Sequence, residues 1–219
     1  MGATKIMVIR HAEKPGLYAD TQYFGVNPTG DIAGEAGSKH LITTGWQRAG
    51  ALVTLFAPPW GSKPGLATPA SLFASDPESK SNGSDADDSG PSQRPYETLT
   101  PLAAVLNNLT IDVDFKKSHY DKMVAKALDQ DGAVLIAWQH EDIALETKDG
   151  KPGISQVILD QTQTPAKNNF NIPKTWPKGP QGARYDLIFV FDRPTGKGPI
   201  KNFSLIAQML LAGDAPAPG

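Results

Sequence analysis

The chain has 219 residues, 39% of them hydrophobic, a formal charge of −2 and no cysteine, with a pI near 6.1. Such a length buries a substantial core, and the missing cysteine excludes disulfides, thiolate metal sites and a cysteine nucleophile. The weak net charge offers no broad basic field for nucleic acid, so any anion site must be local.

Four scattered histidines leave little for a metal cluster. No apolar run approaches the length of a membrane span, and the N-terminus lacks the basic, apolar and small-residue order of a signal peptide. The expectation is a soluble, cytoplasmic protein with neither nucleic-acid nor membrane partners and of undetermined oligomeric state.

An apolar strand over residues 6–9 ends abruptly in Arg10 and His11, followed by Ala12, Glu13, Lys14 and Pro15. Ligands collect at the carboxyl edge of strands in open α/β sheets, so this strand aims an arginine fork and an imidazole at a pocket. Residues 16–39 are rich in Gly, Asp, Thr and Asn and read as a long loop able to wall that pocket. A helix capped by Thr43 or Thr44 carries an apolar stripe of Trp46, Ala49, Leu52, Val53 and Phe56, and Pro58 and Pro59 end it.

Residues 70–74 form a second buried strand ending at Ser75, and 78–93 read as a solvated, mobile insert. Arg94 and Pro95 then open a helix, which places Arg94 where unpaired backbone N–H groups and the helix dipole favour an anion. A brief extended segment at 112–115 precedes a helix at 120–128. Residues 133–138 form a third buried strand ending in Gln139, His140, Glu141 and Asp142, with a helix expected from Ile143 onward, interrupted around residues 149–153, its apolar face continuing through Ile154, Val157 and Ile158. A polar, Pro-rich loop spans 163–182, and strands over 185–191 and 203–211 close the chain. The pattern predicts a single α/β domain over residues 1–213, three-layered, with helices on both faces of a mainly parallel sheet, and a disordered tail over 214–219.

Arg10, His11, Arg94 and His140 can thus converge at one sheet edge, where a phosphoryl group would neutralise them. These residues resemble the histidine phosphatase superfamily, also called phosphoglycerate mutase-like. The likeness rests on Arg10-His11-Ala12 with Glu13, where an Arg-His-Gly type motif is usual; on Leu41, Thr43, Gly45 and Arg48-Ala49; on Ser75, Arg94, Glu97-Thr98 and Pro101-Leu102; and on the strand ending in His140.

That resemblance implies a metal-independent phosphatase acting on a phosphorylated small molecule through a phosphohistidine on His11, with Arg10, Arg94 and His140 holding the phosphoryl oxygens and no cofactor. Glu141, directly after the second histidine, is the favoured general acid over Asp142; the other branch of the family would draw an acid from Asp112, Asp114 or Asp121. A phosphomutase and a non-catalytic phosphate-binding module are the alternatives. Lys14 reads as solvated, with reach to the phosphate from the strand-end loop as the alternative, Glu13 as either a partner of Arg10 or His11 or a surface charge, His40 and His119 as surface residues, and Trp138 as core.

Overall fold

In the computed structural model, residues 2–18, 21–32, 39–59, 61–78, 92–165, 170–179 and 182–218 are described. The strands of the main sheet are β1 (Ala3–Arg10), β4 (Ser71–Ser75), β5 (Ile111–Phe115), β6 (Gly132–Trp138), β9 (Leu187–Asp192) and β10 (Asn202–Ala207), in the order β10-β9-β1-β6-β4-β5. β1, β6, β4 and β5 run parallel, while β9 is antiparallel to both β1 and β10. The chain is therefore α/β with a mainly parallel central sheet.

Near-continuous apolar strands follow from burial on both faces. Alternate side chains of β1 sort into different clusters. Ile6 and Val8 pack with Met123 and Val124 of α4 (Tyr120–Leu128) and with Ile154 and Ile158 of α5 (Ile154–Gln161). Met7 and Ile9 pack with Leu52, with Leu55 of the short helix α2 (Val53–Phe56), and with Leu99 and Leu102 of α3 (Arg94–Val105). Trp138 is fully buried, as its strand position predicts.

Register explains what gathers at the carboxyl edge. Arg10 lies opposite Trp138 and Ala74 opposite Ala137, so Arg10, Ser75 and residues 139–140 leave the sheet side by side. The antiparallel β9 enters from this same edge, which delivers residues 183–186, and β10 leaves by it, which delivers Gln208 and the residues beyond.

Several expectations give way here. Residues 16–39 are more than a loop: β2 (Gly16–Tyr18) and β3 (Thr21–Tyr23) pair as a hairpin, and Val26 bridges Ile32. Most of the insert expected over 78–93 lies outside the described residues. No helix starts at Ile143. A 3-10 turn (His140–Asp142) is followed by a loop of turns and bends closed by a bridge between Glu146 and Pro152, and α5 begins only at Ile154. Gly153 permits this, since a Cβ there would stand 2.2 Å from the Ala144 carbonyl.

The segment 163–182 also carries structure in its described part. β7 (Lys178–Gly179) pairs with β8 (Gly182–Ala183), and Trp176 is buried, stacked on Phe189 at 5.2 Å between centroids.

The expected disordered tail is instead docked. Asp214 accepts hydrogen bonds from Arg48, the Ala215 N–H donates to Asp186, and the Ala215 and Pro216 carbonyls accept from Arg184. Its Ala-Pro composition suggested no partner. What holds it are two arginines from elsewhere in the chain, the buried Arg48 and the partly buried Arg184.

Candidate active site

β1 ends by placing Arg10 and His11 under cover, at 3% and 5% exposure. The His11 N–H donates to the Trp138 carbonyl at 2.9 Å, which continues the β1–β6 pairing one residue past the strand. Beyond it, the Ala12 N–H donates to Thr98 Oγ1 at 2.9 Å, and Thr98 Oγ1 donates to the Arg94 carbonyl at 2.7 Å. The first turn of α3 is thereby tied to the strand-end loop, which brings Arg94 to His11.

The helix α1 (Thr43–Ala51) completes this wall. Its close approach depends on Gly45, where a Cβ would stand 2.6 Å from the Glu13 carbonyl. Glu97, buried in α3, accepts from the Leu41 N–H at 2.9 Å and pairs with His40 Nδ1 at 2.5 Å. His40 is thus a partner of Glu97 and not the simple surface residue its polar surroundings suggested. His119 is exposed, as expected.

His11 Nδ1 lies 2.7 Å from the Ala12 carbonyl oxygen. A carbonyl only accepts, so Nδ1 carries the proton and Nε2 keeps its lone pair. Burial, then the charges of Arg94 and Arg10, hold the imidazole well below its usual pKa, outweighing the Ala12 hydrogen bond. At neutral pH the ring is a neutral nucleophile or base among cations.

His140 stands beside it. Burial, Arg10, Lys14 and Lys178 push its pKa down to about 3, and its Nδ1 is buried with no hydrogen-bond partner among the described residues. The Ser75 hydroxyl, 1% exposed at the end of β4, is also without one.

Arg10 is clamped: Nη1 donates to the carbonyls of Ala183 and Arg184, and its guanidinium carbon lies 3.6 Å from the Tyr185 ring centroid. Arg94 Nε donates to Ser92 Oγ at 3.0 Å. Lys14, expected to be solvated, is half-buried; burial, Arg94 and Arg10 lower its pKa, against the opposing charge of Glu141. Arg10, Lys14, Arg94 and Lys178 thus make a strongly positive locality in a chain of net charge −2.

The two acidic candidates part company. Glu141 bears on Lys14, at the cationic cluster. Asp142 is buried and raised to about 6 by burial, against the Gln139 hydrogen bond; its other influence falls on Tyr120, at the start of α4. An elevated pKa suits a general acid. Asp112 and Asp114 are paired with Lys126. Glu13, whose role the sequence left open, binds Arg48 and neither Arg10 nor His11.

All five residues singled out from the sequence, Arg10, His11, Arg94, His140 and Glu141, therefore lie in one locality. Lys14, weighed from the sequence as a less favoured phosphate ligand, joins them, as do Lys178 and Tyr185, which were not singled out. Tyr185 and Lys178 sit in a stretch whose only sequence signal was its proximity to the start of a strand.

No protein-family model matches this sequence, and no curated protein does. Among solved structures, one described as "putative phosphohistidine phosphatase SixA", from Agrobacterium tumefaciens, is similar at 12% identity and a TM-score of 0.42, over 92% of this chain and 97% of that one. A likeness that loose bears on no residue of the site. Among the described residues, no three His, Asp or Glu side chains gather as metal ligands, and no helix is long and apolar enough to cross a membrane.

The histidine environment makes a prediction about stability. Between an ordinary histidine pKa of about 6.5 and the folded value near 3, unfolded His140 binds a proton that the folded chain does not. Its burial therefore removes stability as pH falls through that window, with no such effect above it. His140→Asn is expected to flatten the fall of the urea midpoint between about pH 6.5 and about pH 4 relative to the parent. Parallel profiles would show that His140 titrates normally in the folded state.

Proposed function

We propose that this protein is a phosphatase that hydrolyses phosphomonoesters through a phosphohistidine on His11, in the three-layer, phosphoglycerate mutase-like manner. The observation that carries the proposal is a buried His11 ring whose Nδ1 donates to a carbonyl, leaving Nε2 unprotonated beside Arg10 and Arg94.

In the first step Nε2 attacks phosphorus, the ester P–O bond breaks and the leaving oxygen takes a proton. In the second, water attacks the phosphohistidine, the P–N bond breaks and inorganic phosphate leaves. Splitting the transfer into two displacements lowers each barrier. Arg10, Arg94 and Lys14 stabilise charge on the equatorial oxygens, which is where such sites do most of their work. His140 Nδ1, buried with no protein acceptor among the described residues, is suited to a phosphoryl oxygen when it carries the proton. An incoming dianion raises the proton affinity of both rings, so the cluster's low pKa values belong to the empty site.

Glu141 serves as the general acid, because it is the carboxyl that bears on the cluster. Glu141→Gln is expected to slow alkyl phosphates by about 10²-fold and activated aryl phosphates far less, since only the former require a proton at the departing oxygen. Equal losses for both classes would remove it from that role.

The deciding experiment is release of inorganic phosphate from a panel of phosphomonoesters, with and without EDTA, by the parent and by His11→Ala. EDTA-insensitive release that is lost in the variant supports the proposal. Release that survives in the variant refutes the nucleophile assignment, and EDTA-sensitive release refutes the metal-independent route.

A further inference from the structure

Ala12 is held from both ends. Its N–H donates to Thr98 Oγ1 at 2.9 Å, and its carbonyl accepts from His11 Nδ1 at 2.7 Å. The residue that keeps the proton on one side of the His11 ring is thus itself fixed by a side chain of α3, the helix that begins at Arg94.

Thr98 is 1% exposed, and its hydroxyl works in two directions. Such a group has one hydrogen to give and lone pairs to receive. The hydrogen goes to the Arg94 carbonyl at 2.7 Å, and a lone pair takes the Ala12 N–H. A threonine within a helix divides between two side-chain rotamers, because its oxygen can bond the carbonyl one turn back. The bond to Arg94 selects the rotamer whose lone pair faces Ala12. One oxygen atom therefore sets the loop of the nucleophile against the backbone of Arg94.

The neighbouring ties run elsewhere. The His11 N–H donates to the Trp138 carbonyl and the Ile42 N–H to the Glu13 carbonyl, so main chain from other segments holds the residues on either side of Ala12. Glu97 anchors the same turn of α3 to Leu41 and His40. None of these bonds joins α3 to Ala12.

We infer that Thr98 is a positioning residue for phosphoryl transfer: its hydroxyl keeps the Ala12 carbonyl where it holds the His11 proton on Nδ1, and so keeps Nε2 in register with Arg94. The inference rests on the phosphatase proposal above. Thr98 touches neither substrate nor the reacting atoms and acts through Ala12 and Arg94.

The test compares Thr98→Val, Thr98→Ser and Thr98→Ala with the parent in two measurements. One is steady-state hydrolysis of p-nitrophenyl phosphate. The other is nitrogen-15 NMR of histidine-labelled free protein at neutral pH, with His11→Ala identifying the His11 ring signals. Valine keeps the shape of threonine and removes the hydroxyl. Small misplacements of reacting groups cost about 10²-fold, and Thr98→Val is expected to lower kcat by about that factor. KM should change little, since the cations that bind phosphate remain.

Which ring nitrogen carries the proton is set by the hydrogen bond it makes. The parent is expected to show His11 protonated on Nδ1, and Thr98→Val to show a share of the Nε2–H form. Thr98→Ser should recover most of both losses. Serine and alanine lack the same methyl and differ by the hydroxyl alone, so that pair carries the comparison if the valine variant does not fold. Glu97→Gln loosens the same turn at Leu41 and His40 without touching Ala12 and is expected to leave the proton on Nδ1. A purely structural role for Thr98 would lower the urea midpoint and leave both kcat and the tautomer in place.

An unchanged kcat or an unchanged tautomer in the folded variants lacking the hydroxyl overturns the inference, as does an equal tautomer shift in Glu97→Gln. Turnover by the parent then leaves the phosphatase proposal standing. No phosphate release from any compound by folded parent protein removes both.

Discussion

His11→Ala is expected to lower phosphate release by roughly four orders of magnitude while leaving the fold and phosphate binding in place. The size of the effect follows from what is removed. Arg10, Arg94, Lys14 and His140 remain to bind the anion, but no other group in the cluster offers an uncharged nitrogen with its lone pair fixed by a neighbouring hydrogen bond.

The same geometry sets the acid limb of the rate. With its pKa held well below the usual imidazole value by burial and by Arg94 and Arg10, free His11 stays unprotonated through the range where an exposed histidine would titrate. The acid limb of kcat/KM for the parent should therefore fall below about pH 6.5. Phosphate affinity measured by calorimetry and stability by urea unfolding check that the variant is intact. A variant that no longer binds phosphate would make His11 a ligand to the anion and leave its chemistry unproven.

Arg48→Leu is expected to cost about 3–5 kcal/mol, near 10 °C in thermal midpoint for a chain of this size. Arg48 is 4% exposed and donates to Glu13 from two nitrogens, to Asp214 from two, and to Gln208. Leucine would leave the carboxylates of Glu13 and Asp214 covered, at 13% and 5% side-chain exposure, with their counter-charge gone. An unpaired buried charge costs far more than a pair contributes, and that asymmetry makes this the most damaging single change outside the hydrophobic core.

Truncation before Asp214 should cost less, because it removes one carboxylate together with its claim on Arg48 and leaves Glu13 paired. Burial alone would raise the Asp214 carboxyl, but the hydrogen bonds and charge of Arg48 outweigh it and its pKa is lowered. Its contribution is thus complete above an ordinary carboxylate pKa of about 4 and is lost as pH falls through the lower folded value. Chemical denaturation of the two variants against the parent settles the order. A truncation as damaging as Arg48→Leu would mean that the tail acts through more than Asp214.

Much of this was legible in the residues, for reasons that also mark where legibility stops. A strand buried on both faces announces itself as an apolar run, so β1, β4, β6 and β9 could be placed, and the carboxyl ends of the parallel strands pointed to Arg10, His11 and His140. The stripe of α4 marked a helix to within its ends. The loop after His140 was missed because three consecutive apolar residues, Ile143 to Leu145, are too short a run to tell a helix from a loop by spacing, and its close backbone approach at Gly153 leaves no trace in the pattern.

The docked tail was missed for a related reason. Asp214 has no local partner, and its attachment is to Arg48, 166 positions earlier. Glu13 likewise read as a partner of Arg10 or His11 or as a surface charge, and its actual partner, Arg48, lies 35 positions on. Contacts between side chains far apart in sequence leave no periodic trace.

Arg10 is held from behind by the main-chain carbonyls of residues 183 and 184, supplied by the β7–β8 hairpin as it turns into β9. Such acceptors have no side-chain identity: position 183 can exchange residues without loosening Arg10, and the Arg184 side chain, engaged with Asp186 and the Pro216 carbonyl, plays no part in the two carbonyl contacts. They are not free to move. A single residue added or removed between Ala183 and Tyr185 shifts the carbonyls and the Tyr185 ring relative to one another. Variation around positions 183–185 should therefore be poor in changes of length, which an ordinary surface hairpin tolerates.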